Sequence, residues 1–173
     1  FPLCRPKGTG PFDSKEERLR PSAEGAREPR RITTMEATMA AIAETTAVPD
    51  PEAPARAILA EQNDLFRRAL GQNAVWNGQV LHGMAVTTPG FRALPARLQA
   101  RLVAEVVCFA DFNEDNDPWG DHGFAAIEVN GTRIFWKIDL YDTDYTFGAG
   151  TTEDATDPEK TRRVLTLYLP SEH

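Results

Sequence analysis

Hydrophobic positions become periodic only after about residue 54. From Pro54 to Leu70, Ile58, Leu65, Phe66 and Leu70 gather on one helical face, Arg56, Glu61, Asp64, Arg67 and Arg68 occupy the other, and Gly71 supplies a stop. Alternation takes over from Gln79 to Thr87, where Val80, His82, Met84 and Val86 mark one side of a strand, with His82 a packing residue, until Pro89-Gly90 breaks it. Pro95 then opens a second helix, in a first-turn position where its missing N–H costs little. Leu98, Leu102, Val106 and Phe109, three or four apart, give that helix a side with which to cover a sheet. A last strand, Arg162 to Leu169, sends Leu165, Leu167 and Leu169 one way and Val164, Thr166 and Tyr168 the other.

The most specific local signal is Asn130-Gly131, a dipeptide suited to positive φ in a type I′ turn, between Phe124–Val129 and Thr132–Tyr141. A turn there sets Val129 opposite Thr132, Ile127 opposite Ile134 and Ala125 opposite Trp136. With Ile138 and Leu140 these make one apolar side. The reverse side then carries Glu128 opposite Arg133, Phe124 opposite Lys137 and His122 opposite Asp139, with Tyr141 one step further. A one-residue slip would oppose apolar to polar positions throughout, so the register is well specified.

Composition narrows the field. With 173 residues, 41% hydrophobic and 26% charged, the chain fits one domain of ordinary size plus a tail rather than a large multidomain enzyme. Residues 1–50 are rich in Pro, Arg, Glu, Ser and Thr without useful periodicity, and read as a disordered tail or a non-native extension preceding a single domain over 54–173. Met35 or Met39 is an alternative natural start to Phe1. Eight of the 19 basic but only seven of the 26 acidic residues lie before Asp50, so the remainder is more acidic than the net charge of -7 suggests. Broad attraction to nucleic acid or anionic lipid is therefore not expected. The two cysteines, Cys4 and Cys108, lie in segments of different character, which argues against a disulfide framework and makes Cys108 a small packed side chain. Without an apolar run long enough to cross a bilayer or form a signal peptide, the expected location is cytoplasmic.

Candidate chemistry concentrates at the open end of the hairpin. An imidazole and a carboxylate on opposed positions, His122 and Asp139, would hydrogen-bond, fixing the ring's tautomer and raising its basicity. The segment Asp111-Phe112-Asn113-Glu114-Asp115-Asn116-Asp117-Pro118-Trp119-Gly120-Asp121-His122 places oxygen ligands at alternate positions. It lacks the sixth-position Gly of a calcium loop, and His122 stands where that loop needs Glu. A magnesium or manganese site would draw on Asp117, Asp121 and Asp139 beside His122, with Lys137 stabilising developing negative charge. Gly148 and Gly150 lack the spacing and following helix of a phosphate loop. Phe124, Phe135, Tyr141 and Tyr168 form a partly exposed aromatic surface for a partner if the last strand adjoins the hairpin.

Three segments, Asn116-Asp117-Pro118-Trp119-Gly120-Asp121-His122, Phe135-Trp136-Lys137-Ile138-Asp139-Leu140-Tyr141-Asp142 and Thr161-Arg162-Arg163-Val164-Leu165-Thr166-Leu167, together resemble the bacterial domain-of-unknown-function family numbered 3768. The similarity runs from about Ile58 to the C-terminus and includes Asn63-Asp64-Leu65-Phe66-Arg67. This chain departs from the family's pattern at Gly123, where an Asp is common, which weakens any role requiring a carboxylate there. The resemblance implies domain limits and a bacterial cytoplasmic origin, and no mechanism.

The expected fold is α+β: two helices packed on one face of a mainly antiparallel four-stranded sheet, with an acidic loop at one end. The leading functional reading is a small acidic binding or accessory module that contacts a basic protein partner through its polar sheet face. A divalent-metal-dependent hydrolase of the phosphodiester type, centred on His122 and Asp139, is the enzyme alternative. An acidic inhibitor that mimics DNA is the third.

Overall fold

A computed structural model describes residues 50–173; the tail expected over 1–50 lies, apart from Asp50, outside the described residues. Helix α1, Ala53–Arg68, starts with Pro54 in its first turn. It is followed by a two-residue hairpin, β1 (Val75–Trp76) and β2 (Gln79–Val80), whose turn residues Asn77 and Gly78 both have positive φ. Strand β3 is Gly83–Thr87, α2 is Pro89–Ala93, and α3 is Ala96–Cys108. The main hairpin is β4 (Phe124–Val129) with β5 (Thr132–Tyr141), then come α4 (Thr152–Thr156), β6 (Arg162–Tyr168) and a 3₁₀ turn over Pro170–Glu172.

The hairpin register is the one that Asn130-Gly131 dictates. Phe124 pairs with Lys137, Ala125 with Trp136, Ile127 with Ile134 and Val129 with Thr132, and Arg133 reaches Glu128 at 3.3 Å. Strand β6 lies on the other side of β5, antiparallel to it, and β3 completes the order β3-β6-β5-β4. That last pairing, Gly83–Thr87 against Arg163–Leu167, is parallel. The sheet is therefore mixed, which corrects the expectation of a mainly antiparallel one. Alternation reveals which side chains share a face, but it carries no information about the direction of a neighbouring strand.

One face holds the core: Ala125, Ile127, Ile134, Trp136, Ile138, Leu165 and Leu167 pack with Phe66 of α1 and with Leu102 and Val106 of α3. The anticipated face of α3 is the one observed. In α1 the buried side is rotated and partly polar, comprising Leu59, Gln62, Asn63, Phe66 and Arg67. Its polar members answer buried partners. Arg163 of β6 is fully buried, donates through Nε to Asn63 Oδ1 at 3.3 Å, and bonds to Gln62 Oε1 through Nη2. No carboxylate accepts from this guanidinium among the described residues, and burial pulls its pKa down to about 10.

Three local expectations need correction. The strand foreseen over Gln79–Thr87 is interrupted at Leu81, which is buried, and at His82, which is exposed rather than packed. Met84 and Val86 remain largely exposed on an edge strand. Cys108, at the end of α3, is disulfide-bonded rather than a free packed thiol.

Candidate functional site

The geometry around His122 differs from the one the sequence predicts. Regular β4–β5 pairing stops at Phe124, one further bond runs from Ile138 N to Gly123 O at 2.7 Å, and His122 has φ +54°. That left-handed residue breaks the alternation by which His122 would have faced Asp139. The imidazole instead lies flat against Phe112, with centroids 3.7 Å apart and planes 5° from parallel. Its Nδ1 is 3.4 Å from Asp64 Oδ1 and its Nε2 is 3.8 Å from Asp117 Oδ2. Asp139 pairs with Lys137, Nζ to Oδ2 at 2.9 Å. The His122–Asp139 dyad is therefore not formed.

His122 belongs to a polar cluster that ties the acidic loop to α1. Asn63 Nδ2 donates to the carbonyl of Asp121 at 2.9 Å, and the backbone N of His122 donates to Asp117 Oδ2 at 3.2 Å. Arg67, fully buried, bridges Asp64 and the carbonyls of Val107 and Phe109 at 2.7–3.1 Å, and also bonds to Val106 O. A cation there both satisfies the carbonyls at the end of α3 and complements its dipole. Asp64, Asn63, Arg67 and Phe112 were not singled out as site residues in the sequence. The available signal was that a helix presenting Asn63 and Arg67 toward a core needs buried partners.

On the opposite face the four aromatic positions share a surface as alternation requires, with Tyr168 buried at 5% and the His173 ring 5.9 Å from it. Phe124 and Phe135 lie 5.5 Å apart and Phe135 and Tyr168 5.7 Å apart, while Tyr141 sits nearer the other end, 6.4 Å from Tyr145. A shallow depression of about 430 Å³ opens beside them, walled by Trp119, Phe124 and Tyr168 and carrying Asp121, Lys137 and Asp139. Trp119 is 70% exposed and Phe124 39%. Hydrogen bonding to Asp139 raises the Lys137 pKa, and burial raises that of Tyr168. Trp119 entered the sequence analysis only as a member of the acidic segment and of a resemblance motif, although a large apolar residue inside so polar a loop was itself a hint.

The predicted metal ligands divide between these two regions. Asp117 is nearly buried at 6% side-chain exposure and faces His122, Asp121 contacts Asp117 and also lines the groove, and Asp139 is engaged by Lys137. Among the described residues no group of three or more His, Cys, Asp or Glu side chains is arranged to hold a metal ion.

Asp121 is the strained member. Burial raises its pKa, Asp117 raises it further by charge and by hydrogen bonding, and the backbone N of Gly123, 3.0 Å away, opposes this. A carboxyl whose pKa is higher folded than unfolded contributes stability that is fully present below the unfolded value and lost as pH rises through the folded one. Asp121→Asn, which keeps an acceptor for Gly123, is expected to melt above the native protein near neutrality, with the difference closing toward about pH 4. Thermal melts at several pH values check this, and a difference independent of pH would contradict it.

These features define a small α+β domain with its core on one sheet face and an aromatic, acidic groove on the other. Residues 87–172 match the family model described as Protein of unknown function (DUF3768), and through this stretch the chain belongs to that family. All three segments that carried the resemblance fall inside the match, whereas its expected extension back to Ile58 lies outside it. No curated protein and no solved structure matches the chain. No helix among the described residues is long and apolar enough to cross a membrane.

Proposed function

We propose that this domain is a binding module that docks a basic segment of another protein in the groove on the face of its sheet that carries Phe124 and Tyr168. The observation that carries this reading is the groove itself, which sets an exposed indole and an exposed phenyl ring beside the carboxylates of Asp121 and Asp139. Contiguous exposed aromatic surface is costly to leave in water and marks contact sites. The sign of the partner follows from charge: the residues from Asp50 onward hold 19 of the 26 acidic and 11 of the 19 basic side chains. Lys137 does not reverse that sign, because Asp139 neutralises it at 2.9 Å.

So shallow a site suits weak, reversible contact, with a dissociation constant on the order of 10–100 μM. Calorimetric titration with a short Lys/Arg-rich peptide should give saturable heat that weakens as salt is added, since exposed charges are screened over about 10 Å at 0.1 M ionic strength. Trp119→Ala should weaken binding about tenfold, because aromatic anchors dominate such contacts. No saturable binding, or equal binding of an acidic peptide, would refute the proposal. A hydrolase centred on His122 and Asp139 is not carried as a second reading, because those side chains engage different partners.

A further inference from the structure

We infer that the groove's occupant is the side chain of an arginine in the docked segment, its guanidinium lying on the Trp119 indole and bonding to Asp121. This rests on the docking reading above and deepens it.

Charge in the groove is unevenly matched. Asp139 already has the ammonium of Lys137 at 2.9 Å. Asp121 has the backbone N of Gly123 at 3.0 Å and the carboxyl of Asp117 beside it, and no cationic side chain among the described residues lies within ion-pair distance. The carboxylate without a cationic partner in the groove is therefore Asp121, two residues from Trp119, and it is there that a cation from outside gains most.

Arginine rather than lysine follows from the walls. Trp119 is 70% exposed and stacks on no other aromatic ring among the described residues, so an indole face is available beside a carboxylate. A flat, weakly hydrated guanidinium can lie on an aromatic ring while its N–H groups fork toward an acid; a compact, strongly hydrated ammonium gives up more water for the same contact. The molecule uses this combination internally. The Arg67 guanidinium lies 5.2 Å from the Trp136 ring and 5.7 Å from the Phe112 ring while bonding to Asp64 at 2.7 Å. The groove offers Trp119 and Asp121 in the corresponding roles.

The test uses three Gly/Ser peptides of equal length that carry arginine, lysine or citrulline at the same positions, titrated into the native protein, Trp119→Phe, Trp119→Ala and Asp121→Asn. The arginine peptide is expected to bind about fivefold more tightly than the lysine peptide. Trp119→Phe should keep most of that preference and Trp119→Ala should abolish it, while Asp121→Asn should weaken the arginine peptide toward the level of the uncharged citrulline one. Equal affinity for arginine and lysine, or a preference indifferent to Trp119→Ala, overturns the arginine assignment and leaves the docking reading standing. If none of the charged peptides binds, both fall.

Discussion

Arg67→Met should cost about 3–5 kcal/mol of stability, the range for removing one partner from a buried charged network. Methionine replaces much of the volume, so the loss reports polar chemistry rather than a cavity. Arg67 is fully buried and bonds to Asp64 and to the carbonyls of Val106, Val107 and Phe109; without it the half-buried carbonyls of Val107 and Phe109 lose this donor, and Val106 O keeps only a long bond from Phe109 N at 3.4 Å. Asp64 would keep Arg68, whose Nη2 lies 3.0 Å away, so the carboxylate is not abandoned and the carbonyls dominate the loss. Burial already lowers the Arg67 pKa while Asp64 holds it up, which places the guanidinium's cost and its compensation in the same contacts. Against a typical total of about 5–15 kcal/mol, such a change leaves a marginal fold. Urea denaturation should show a lower midpoint with an unchanged slope. Arg67→Lys should recover little, since a single ammonium cannot serve acceptors spread over three residues and a carboxylate. A loss below about 1 kcal/mol would mean that water reaches the end of α3, and the bridging role would be wrong.

Arg67 also explains why half of the candidate site was hidden in the sequence. Residues such as Asn63, Asp64 and Arg67 look like the solvated side of an amphipathic helix, and only the tertiary arrangement shows that they face carbonyls and a second buried arginine. Helical periodicity identifies apolar faces well and buried polar ones poorly, because a hydrogen-bonding partner far along the chain leaves no local trace. The hairpin was legible for the opposite reason. Asn130-Gly131 fixes the turn, the turn fixes the register, and the register sorts Phe124, Phe135, Tyr141 and Tyr168 onto one side. The same dipeptide at Asn77-Gly78 makes the small β1–β2 hairpin and was overlooked, since two-residue strands present no alternation to find.

His122 marks where the logic of alternation ran out. Extending the hairpin by two residues beyond Phe124 was reasonable on pattern alone, but the run Trp119-Gly120-Asp121-His122-Gly123 contains positive φ at both Gly120 and His122. Two such residues amount to a turn, and a turn cancels the rule that every second side chain shares a face. One consequence is that the imidazole stacks on Phe112 beside α1, while the indole two residues before Asp121 is left facing solvent beside the sheet. The stacked imidazole and the groove are thus two results of the same bend.

Gly83→Ala is expected to be nearly as damaging, at about 3 kcal/mol, for a steric reason that a sequence pattern cannot display. A Cβ at position 83 would lie 1.9 Å from the carbonyl oxygen of Arg163, 2.8 Å from its carbonyl carbon and 2.7 Å from Phe66 Cζ. The ring can shift; the backbone cannot easily do so. Arg163 N donates to His82 O at 2.9 Å, and its side chain is pinned by Gln62 and Asn63, so β6 is held from both sides. Relief would come from moving β3 away from β6, which sacrifices the parallel pairing of Gly83–Thr87 with Arg163–Leu167 and loosens Phe66 in the core. The groove should be spared. Its β6 contribution is Tyr168, at the other end of that strand and held by Phe135 on β5, which does not depend on β3. Gly83→Ala should therefore lower the melting temperature by about 10 °C while leaving peptide affinity per folded molecule unchanged. A stable Gly83→Ala protein would show that β3 can slide without penalty. Loss of binding in the folded fraction would show that the groove's geometry is set by the edge strand rather than by the hairpin and its bend.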